Sequence, residues 1–540
     1  MTRLYIFLIS LLSTVGCHVH QSNPKKPNIL FIGIDDLRPE LGCYGSAIAQ
    51  SPNIDNLASK GILFNRAYCQ QAICGPSRAS LMTGIRPLNS GITHNYIRFR
   101  DSLPETYTIS QYFGTNGYRT SSIGKIFHHG DNDSLSWNSE VIKDSIIIAN
   151  ELKVSGFALP INIQNRKVTR KKMFAKYGKI ARFGLAMGPA YECADVSDNR
   201  YIDGHNTDIA INTLKDMAAD DSKPFFMAVG YNKPHLNWVA PKKYWDLYNR
   251  EKMQLARHEN RPKNSTAMGL HPSFELRVRS GIPKIGTIDT SLSKTLLHSY
   301  LACISYVDAQ IGKLINTLEE LDLMDNTIIV LWSDHGYHLG EMGIWGKASN
   351  YEIATRVPLI INTPDMDDEI KGSQTNALVE LLDIFPTLCD AAGLTIPEHL
   401  DGTSLLPIIS NTQSKWKTAV YSQFPTPALR EWGAFPLRPA MRETYFGPLI
   451  EEMEKKIKKE QQEKWIKEVF ENYVMGYAMR TDRYRLIAWI DESKTIENPL
   501  AIELFDHQLD PYETQNIAND NSELVRLLLS QMKKDLQLNF

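Results

Sequence analysis

Asn28-Ile29-Leu30-Phe31-Ile32-Gly33-Ile34 is a short apolar run rich in branched residues, and it stops at Asp35-Asp36. The same pattern recurs three times. Thr327-Ile328-Ile329-Val330-Leu331-Trp332-Ser333 ends at Asp334-His335. Pro224-Phe225-Phe226-Met227-Ala228-Val229-Gly230 leads to Asn232-Lys233-Pro234-His235, and a weaker run from Arg119 to Ile123 leads to Gly124-Lys125-Ile126-Phe127-His128. Runs that are apolar throughout, rather than alternating, read as strands buried on both faces. Between them lie helical stretches such as Leu296 to Leu323, whose apolar residues recur at helical spacing. The pattern predicts an α/β fold with a large, mostly parallel sheet flanked by helices. In such sheets the ligand lies beyond the carboxyl ends of the strands, so the four polar clusters are expected along one edge.

Each cluster alone has an ordinary explanation. Asp-Asp after a strand is often a turn or a helix N-cap, and Lys-x-x-His is common by chance. Joint placement at strand ends changes the balance. Three carboxylates and one imidazole suit a hard divalent cation, Ca²⁺ or Mg²⁺. Two lysines and two further histidines would then hold an anionic group facing that cation, which implies a small oxyanion substrate between them.

The 540 residues exceed what one core usually organises, so a large domain and a smaller one are expected. Hydrophobic residues at 43% and charged residues at 22% exclude a disordered or fibrous chain. With 59 Lys and Arg against 61 Asp and Glu, the net charge of −2 removes the main electrostatic argument for nucleic-acid binding. Seven scattered cysteines without metal-type spacing do not form a disulfide scaffold, and at least one must be free, modified or lipidated. At the N-terminus, Arg3 precedes an apolar run from Leu4 to Leu12, and small residues lead to Gly16-Cys17. This describes a secretory signal over residues 1–17 rather than a membrane span, which needs ~20 apolar residues. Thr14-Val15-Gly16-Cys17 also resembles a bacterial lipoprotein box. Export to the periplasm or cell surface is expected, with a lipid anchor at Cys17 as the only expected link to a membrane.

One motif specifies the chemistry. Cys74-Gly75-Pro76-Ser77-Arg78 is followed by Ala79-Ser80-Leu81-Met82-Thr83-Gly84. This matches the C-x-P-S-R-x4-T-G pattern of the sulfatase family at every fixed position. A chance match in this length is under about one in 10⁵. Asp35 to Gly45, Ser51 to Asp55, Gly124 to His128, Val229 to His235 and Ser333 to Glu341, running on to Gly346-Lys347, also look like sulfatase segments. The Asp-Asp-Leu-Arg-Pro opening and the Lys-Pro-His segment are most similar to the iduronate-2-sulfatase branch. Resemblance covers most of residues 27–530 and fades at about 132–200, 250–290 and 425–470.

The resemblance implies a fold of the alkaline-phosphatase type and a cysteine oxidised to Cα-formylglycine by a maturation enzyme. Carried over by residue, Cys74 is that formylglycine. Asp35, Asp36, Asp334 and His335, with the oxygen on modified Cys74, hold one Ca²⁺. Arg78 steadies the modified residue, while Lys125, His128, His235 and Lys347 contact sulfate or move protons. One hydroxyl of the hydrated aldehyde attacks sulfur and expels the sugar alcohol; the other then loses its proton to release sulfate. His128 is the expected base for that second step, and His235 or Lys347 protonates the leaving alcohol. The implied substrate is a sulfated saccharide, cleaved from the chain end of glycosaminoglycan or other acidic sulfated polysaccharide fragments. Met342, where many relatives carry His, the additional His338 nearby, and Asn237-Trp238 after His235 depart from the family pattern and leave substrate identity open. Two other readings are a phosphodiesterase or phosphonate monoester hydrolase of the same superfamily, and a non-catalytic glycan-binding lipoprotein.

The catalytic domain is expected over 27–405 and a smaller C-terminal α+β domain over 406–540. The latter carries an antiparallel sheet, with a hairpin through Met475 to Ile490, and Met453 to Glu471 reads as a solvated helix. In the variable stretch 425–470, Trp432 is a candidate to stack on a sugar, and Arg430, Arg438 and Arg442 to pair with a uronate, the alternative for each being that it packs or faces solvent.

Overall fold

The computed structural model describes residues 26–128, 133–138, 156–220, 222–433, 440–493 and 498–538. The expected signal segment with Cys17, and Arg438, lie outside the described residues. The central sheet has eight strands: β1 (Asn28–Asp35), β2 (Ile62–Tyr68), β3 (Arg119–Gly124), β4 (Phe225–Pro234), β5 (Thr327–Ser333), β6 (Arg356–Val357), β7 (Leu359–Asn362) and β8 (Gln374–Glu380). Their spatial order is β6-β2-β7-β5-β1-β4-β3, with β8 also paired to β2. β1 runs parallel to β4 and β5, β3 to β4, and β8 to β2. Only β6 and β7 run against the rest, so the sheet is mostly parallel, as the apolar runs predict.

The principal helices are α1 (Pro52–Lys60), α2 (Cys74–Thr83), α3 (Ile109–Thr115), α4 (Pro160–Tyr177), α5 (Ile202–Ala218), the single turn α6 (Phe274–Arg277), α7 (Thr290–Glu320), α8 (Ile384–Ala391), α9 (Gly447–Gln461) and α10 (Ser522–Asp535). Alternate residues of β1 serve the two faces of the sheet. Leu30, Ile32 and Ile34 join a core with Leu57 of α1, Leu214 of α5 and Leu301 of α7. Ile29 and Phe31 join another with Leu81 of α2, Phe113 of α3 and Leu388 of α8. Both faces are therefore covered, which is why β1 shows no alternation of polar and apolar residues.

A second, antiparallel sheet orders β9 (Ala419–Pro425), β10 (Val474–Thr481), β11 (Tyr484–Asp491) and β12 (Ala501–Asp506) in sequence. The hairpin expected through Met475 to Ile490 is β10–β11. Met479, Leu486 and Leu504 pack on Leu528 and Met532 of α10, while Ala478, Ile487 and Phe505 face the core shared with α9. The expected solvated helix is corrected in one respect. α9 starts at Gly447 and buries Leu449, Ile450, Met453 and Ile457, because their three-to-four-residue spacing aligns one apolar face beneath its charges.

The small sheet grips two loops of the large one. Ser422 Oγ donates to Cys69 O at 2.5 Å and Gln423 N to Gln70 O at 2.8 Å, just before Cys74. Arg485 Nη1 donates to Asn350 O at 3.0 Å, just after Lys347.

Candidate active site

The carboxyl edge of the parallel strands carries the polar clusters. β1 ends in Asp35 and Asp36, β5 leads into Asp334 and His335, β3 into Lys125, and β4 into His235. Close approach of β3 and β4 at this edge depends on two glycines. A Cβ on Gly124 would stand 2.1 Å from Gly230 O, and one on Gly230 2.1 Å from Lys125 O. Gly124 also has φ +77°, which side-chain-bearing residues rarely adopt.

Cys74 opens α2, at a helix N-terminus whose dipole favours an anion. Its Sγ lies 3.4 Å from His335 Nε2 and 3.5 Å from Asp35 Oδ1. Lys125 Nζ and Lys347 Nζ approach it at 3.6 and 3.5 Å. One turn further along α2, Arg78 is fully buried, with Nε 2.8 Å from Asp334 Oδ2 and Nη2 3.2 Å from Asp35 Oδ1. It also donates to the carbonyls of Lys125 and Ile126 at 2.6 and 2.9 Å, tying the Cys74 helix to the Lys125 loop. Lys347 Nζ lies 2.8 Å from Asp36 Oδ1, and Lys125 pairs with Asp35. His335 Nε2 stands 3.4 Å from Asp36 Oδ1. His128 is half-buried, three residues beyond Lys125.

These pairings set the charge states. Burial opposes ionisation of Asp35, but Lys125, with His235 and Arg78 behind it, brings its carboxyl well below the usual range. Burial opposes the charge on Lys347, yet Asp36 holds its ammonium well above the usual lysine value. Burial, and then Asp35, push the Cys74 thiol well up, so the unmodified side chain is a neutral S–H.

Residues to which the sequence alone assigns no role complete the pocket. Glu275, on α6, stands 3.2 Å from His235 Nε2 and 3.5 Å from Lys347 Nζ, so one carboxylate spans both candidate proton donors. Lys233 is buried and donates to the carbonyls of His235 and Asn237 at 2.6 and 2.7 Å, fixing the His235 loop. His271 Nε2 is 2.7 Å from Lys347 O. Glu275 and His271 fall in the stretch 250–290 where family resemblance fades, so no motif marks them. Lys233 stands inside the quoted Lys-Pro-His segment, and only its burial reveals a supporting role.

The residues fit a divalent cation. Single ligand atoms of Asp35, Asp36, Cys74 and His335 all lie within 4.8 Å of one another. Asp36 Oδ2 is buried without a hydrogen-bond partner among the described residues. The carboxylates of Asp35, Asp36, Asp334 and Glu275 face the cations Arg78, Lys125 and Lys347, with Lys233 and Arg279 buried behind them. A divalent ion among the carboxylates would add positive charge facing an anionic sulfate ester. Asp334 is committed to Arg78 through Oδ2, while its Oδ1 accepts from the backbone of Asp36 at 3.1 Å.

The expected sugar contacts in 425–470 are corrected. Trp432 is 7% exposed and stacks on Phe274 with ring centroids 4.8 Å apart, so its face belongs to a core. Arg430 pairs with Glu492 at 3.3 Å, and Arg442 with Glu454 and Glu471 at 2.6 and 2.5 Å. Carboxylates already occupy those guanidinium groups.

An anion pocket of carboxylates, lysines and a helix N-terminus, at the carboxyl edge of a largely parallel sheet, defines a hydrolase of anionic esters with an alkaline-phosphatase-like fold. The chain belongs to the sulfatase family, whose model, described as Sulfatase, matches residues 27–394. It is a sulfuric ester hydrolase. Iduronate 2-sulfatase of Mus musculus is 31% identical over 92% of this chain and 91% of its own length. A protein solved with its substrate D-glucosamine-2-N,6-O-disulfate superposes with a TM-score of 0.65 at 23% identity, covering 95% of this chain and 98% of that one. The phosphonate monoester hydrolase of Silicibacter pomeroyi gives a TM-score of 0.66 at 24% identity, covering 95% and 96%. At those identities the two structures speak for the fold alone.

Proposed function

We propose that this enzyme removes sulfate from the chain end of an acidic sulfated saccharide, using Ca²⁺ and Cys74 in its formylglycine form. The observation that carries the reading is the position of Cys74, in the first turn of a buried helix, with His335, Asp35, Lys125 and Lys347 within 3.4 to 3.6 Å of its sulfur. A neutral buried thiol is a poor nucleophile, whereas formylglycine would supply a hydrated aldehyde whose hydroxyl attacks sulfur. Asp35, Asp36, Asp334 and His335, with the oxygen on modified Cys74, would hold the cation, which supplies Lewis-acid polarisation of the sulfate oxygens.

The chain's own residues do the rest. Lys125 and Lys347, beside Cys74 and paired with Asp35 and Asp36, neutralise the sulfate oxygens. Arg78 holds Asp334 and Asp35 in register with α2. His128 takes the proton from the second hydroxyl. His235 is the donor to the leaving alcohol, since Lys233 fixes its backbone and Glu275 orients its ring. The similarity to iduronate 2-sulfatase at 31% identity supports a uronate-containing substrate. A signal over residues 1–17 and a lipoprotein-type Cys17 place the protein, in this reading, outside the cytoplasm, matured by a formylglycine-generating enzyme. The test is a paired assay of matched sulfate and phosphate or phosphonate esters on one saccharide. Sulfate release is expected to dominate; faster cleavage of the phosphorus esters overturns the reading in favour of a phosphonate or phosphodiester hydrolase.

A further inference from the structure

The stretch from Gly156 to Tyr191 contains no Asp or Glu. Within it, α4 presents Arg166, Lys167, Arg170, Lys171, Lys172 and Lys176, every one exposed. This is a concentrated positive surface on a chain whose net charge is −2. Among the described residues none of the six is ion-paired; Arg170 and Lys176 lie over the rings of Phe174 and Tyr177, at 5.1 and 4.9 Å from the centroids. Arg166 and Arg170, Lys167 and Lys171, and Lys172 and Lys176 are like-charge pairs one turn apart, an arrangement that destabilises a helix. The packing of α4 does not require them, because Ile163, Met173, Phe174 and Tyr177 make its apolar contacts.

The helix is joined to the catalytic pocket. Asn237, two residues beyond His235, donates from Nδ2 to Gly156 O at 2.8 Å, and Arg166 Nη1 lies 4.0 Å from where a Cβ on that glycine would stand. Behind them Arg279 is buried, 6% exposed, and its Nε has no hydrogen-bond partner among the described residues. Burial opposes its charge most, Glu275 favours it and Arg166 opposes it, so Arg279 lies near both. Beside the first turns of α4 lies a hollow of about 750 Å³ lined by Asn162, Asn165, Tyr191 and His298, amide and aromatic groups that suit sugar rings, with Glu192 and Glu251 also in its wall. From Arg166 to Lys176 the helix axis runs about 15 Å, which matches an oligosaccharide rather than one sugar.

We propose that α4 is an anion-binding track for the part of a polyanionic saccharide that extends beyond the catalytic pocket. The identity of the pocket rests on the sulfatase reading above; the track rests on the charge, exposure and position of α4. A sulfated or carboxylated chain whose end occupies the pocket would leave past Asn237 and Arg166 and lie along the lysines. Long-range attraction by such a surface raises encounter and retention of a polyanion and weakens with salt.

The experiment compares the full chain with its Lys167→Gln, Lys171→Gln, Lys172→Gln, Lys176→Gln variant. Binding is measured to dextran sulfate, neutral dextran and phosphatidylglycerol vesicles, and sulfate release from a sulfated monosaccharide and a terminally sulfated hexasaccharide. The variant is expected to keep its melting temperature and its turnover of the monosaccharide. It should lose about tenfold or more in affinity for dextran sulfate and show a similar rise in KM for the hexasaccharide, with kcat unchanged. Equal affinity of the two proteins for dextran sulfate overturns the track. So does binding of vesicles but not of dextran sulfate, which would make α4 a membrane-facing surface, and so does an equal loss on both saccharides. If neither protein releases sulfate, the sulfatase reading fails, while the binding comparison still decides the track.

Discussion

Around Cys74, Lys347 lies 2.8 Å from Asp36 with 8% of its side chain exposed, and Arg78 lies 2.8 Å from Asp334 with none. Along α4, six cations stand in solvent without a carboxylate among the described residues. The two regions use charge for different ends. In the buried pocket each charge is fixed by a partner, so its direction is set before substrate arrives and salt has little access to it. On the exposed helix the charges are screened within about 8 Å at physiological ionic strength, which gives attraction without fixed geometry. One region suits a reacting sulfate, the other a flexible chain.

Chelation gives the largest contrast. Without a cation, Asp35, Asp36 and Asp334 repel one another, and native-state binding of an ion adds stability. Exhaustive chelation is expected to abolish sulfate release and lower the melting temperature, with Ca²⁺ restoring both. Binding of dextran sulfate should be untouched. Lys347→Ala comes next. It removes a cation facing the sulfate and strands Asp36, so kcat is expected to fall about 100-fold or more, with affinity for the polyanion unchanged. A smaller effect separates the regions by salt. Raising ionic strength from about 0.05 to 0.5 M should increase KM for a hexasaccharide severalfold and that for a monosaccharide much less; equal shifts would dissolve the distinction.

Glu503 refines what keeps a buried carboxylate charged. It is as buried as Asp35 but its donors are neutral: Tyr351 Oη and Trp489 Nε1, both at 3.0 Å, and the backbone of Thr266. Burial pushes its carboxyl from 4.5 to about 7. At this site the folded protein therefore holds a proton that the unfolded chain has released, and the contribution of Glu503 to stability falls as pH rises between those values. Glu503→Gln should remove this fall and gain up to about 3 kcal/mol relative to the parent at pH 8. Melting curves of both proteins across pH 4 to 8 check the sign; an advantage of the Gln variant over the parent that does not grow with pH contradicts it.

The strands were legible because β1 and β5 are sealed on both faces, which writes an unbroken apolar run into the chain. The edge was legible because parallel strands place their ends together, and the motif beginning at Cys74 marked α2. Glu275 was not legible. It sits on a single helical turn in an irregular segment, and only tertiary packing brings it to Lys347 and His235. The charge of α4 was averaged away by a balanced total of 59 basic and 61 acidic residues. Trp432 misled for the opposite reason: an aromatic in a variable loop looks like a sugar platform, but Phe274 and Phe446 cover it.

The central claim is that Cys74 acts as formylglycine, and peptide mass spectrometry of the active enzyme, paired with the Cys74→Ala variant, tests it most directly. The Cys74 peptide should carry an aldehyde in place of the thiol, and the Ala variant should fold, melt near the parent temperature and release no sulfate. An intact thiol in fully active enzyme, or full activity in the Ala variant, would contradict it.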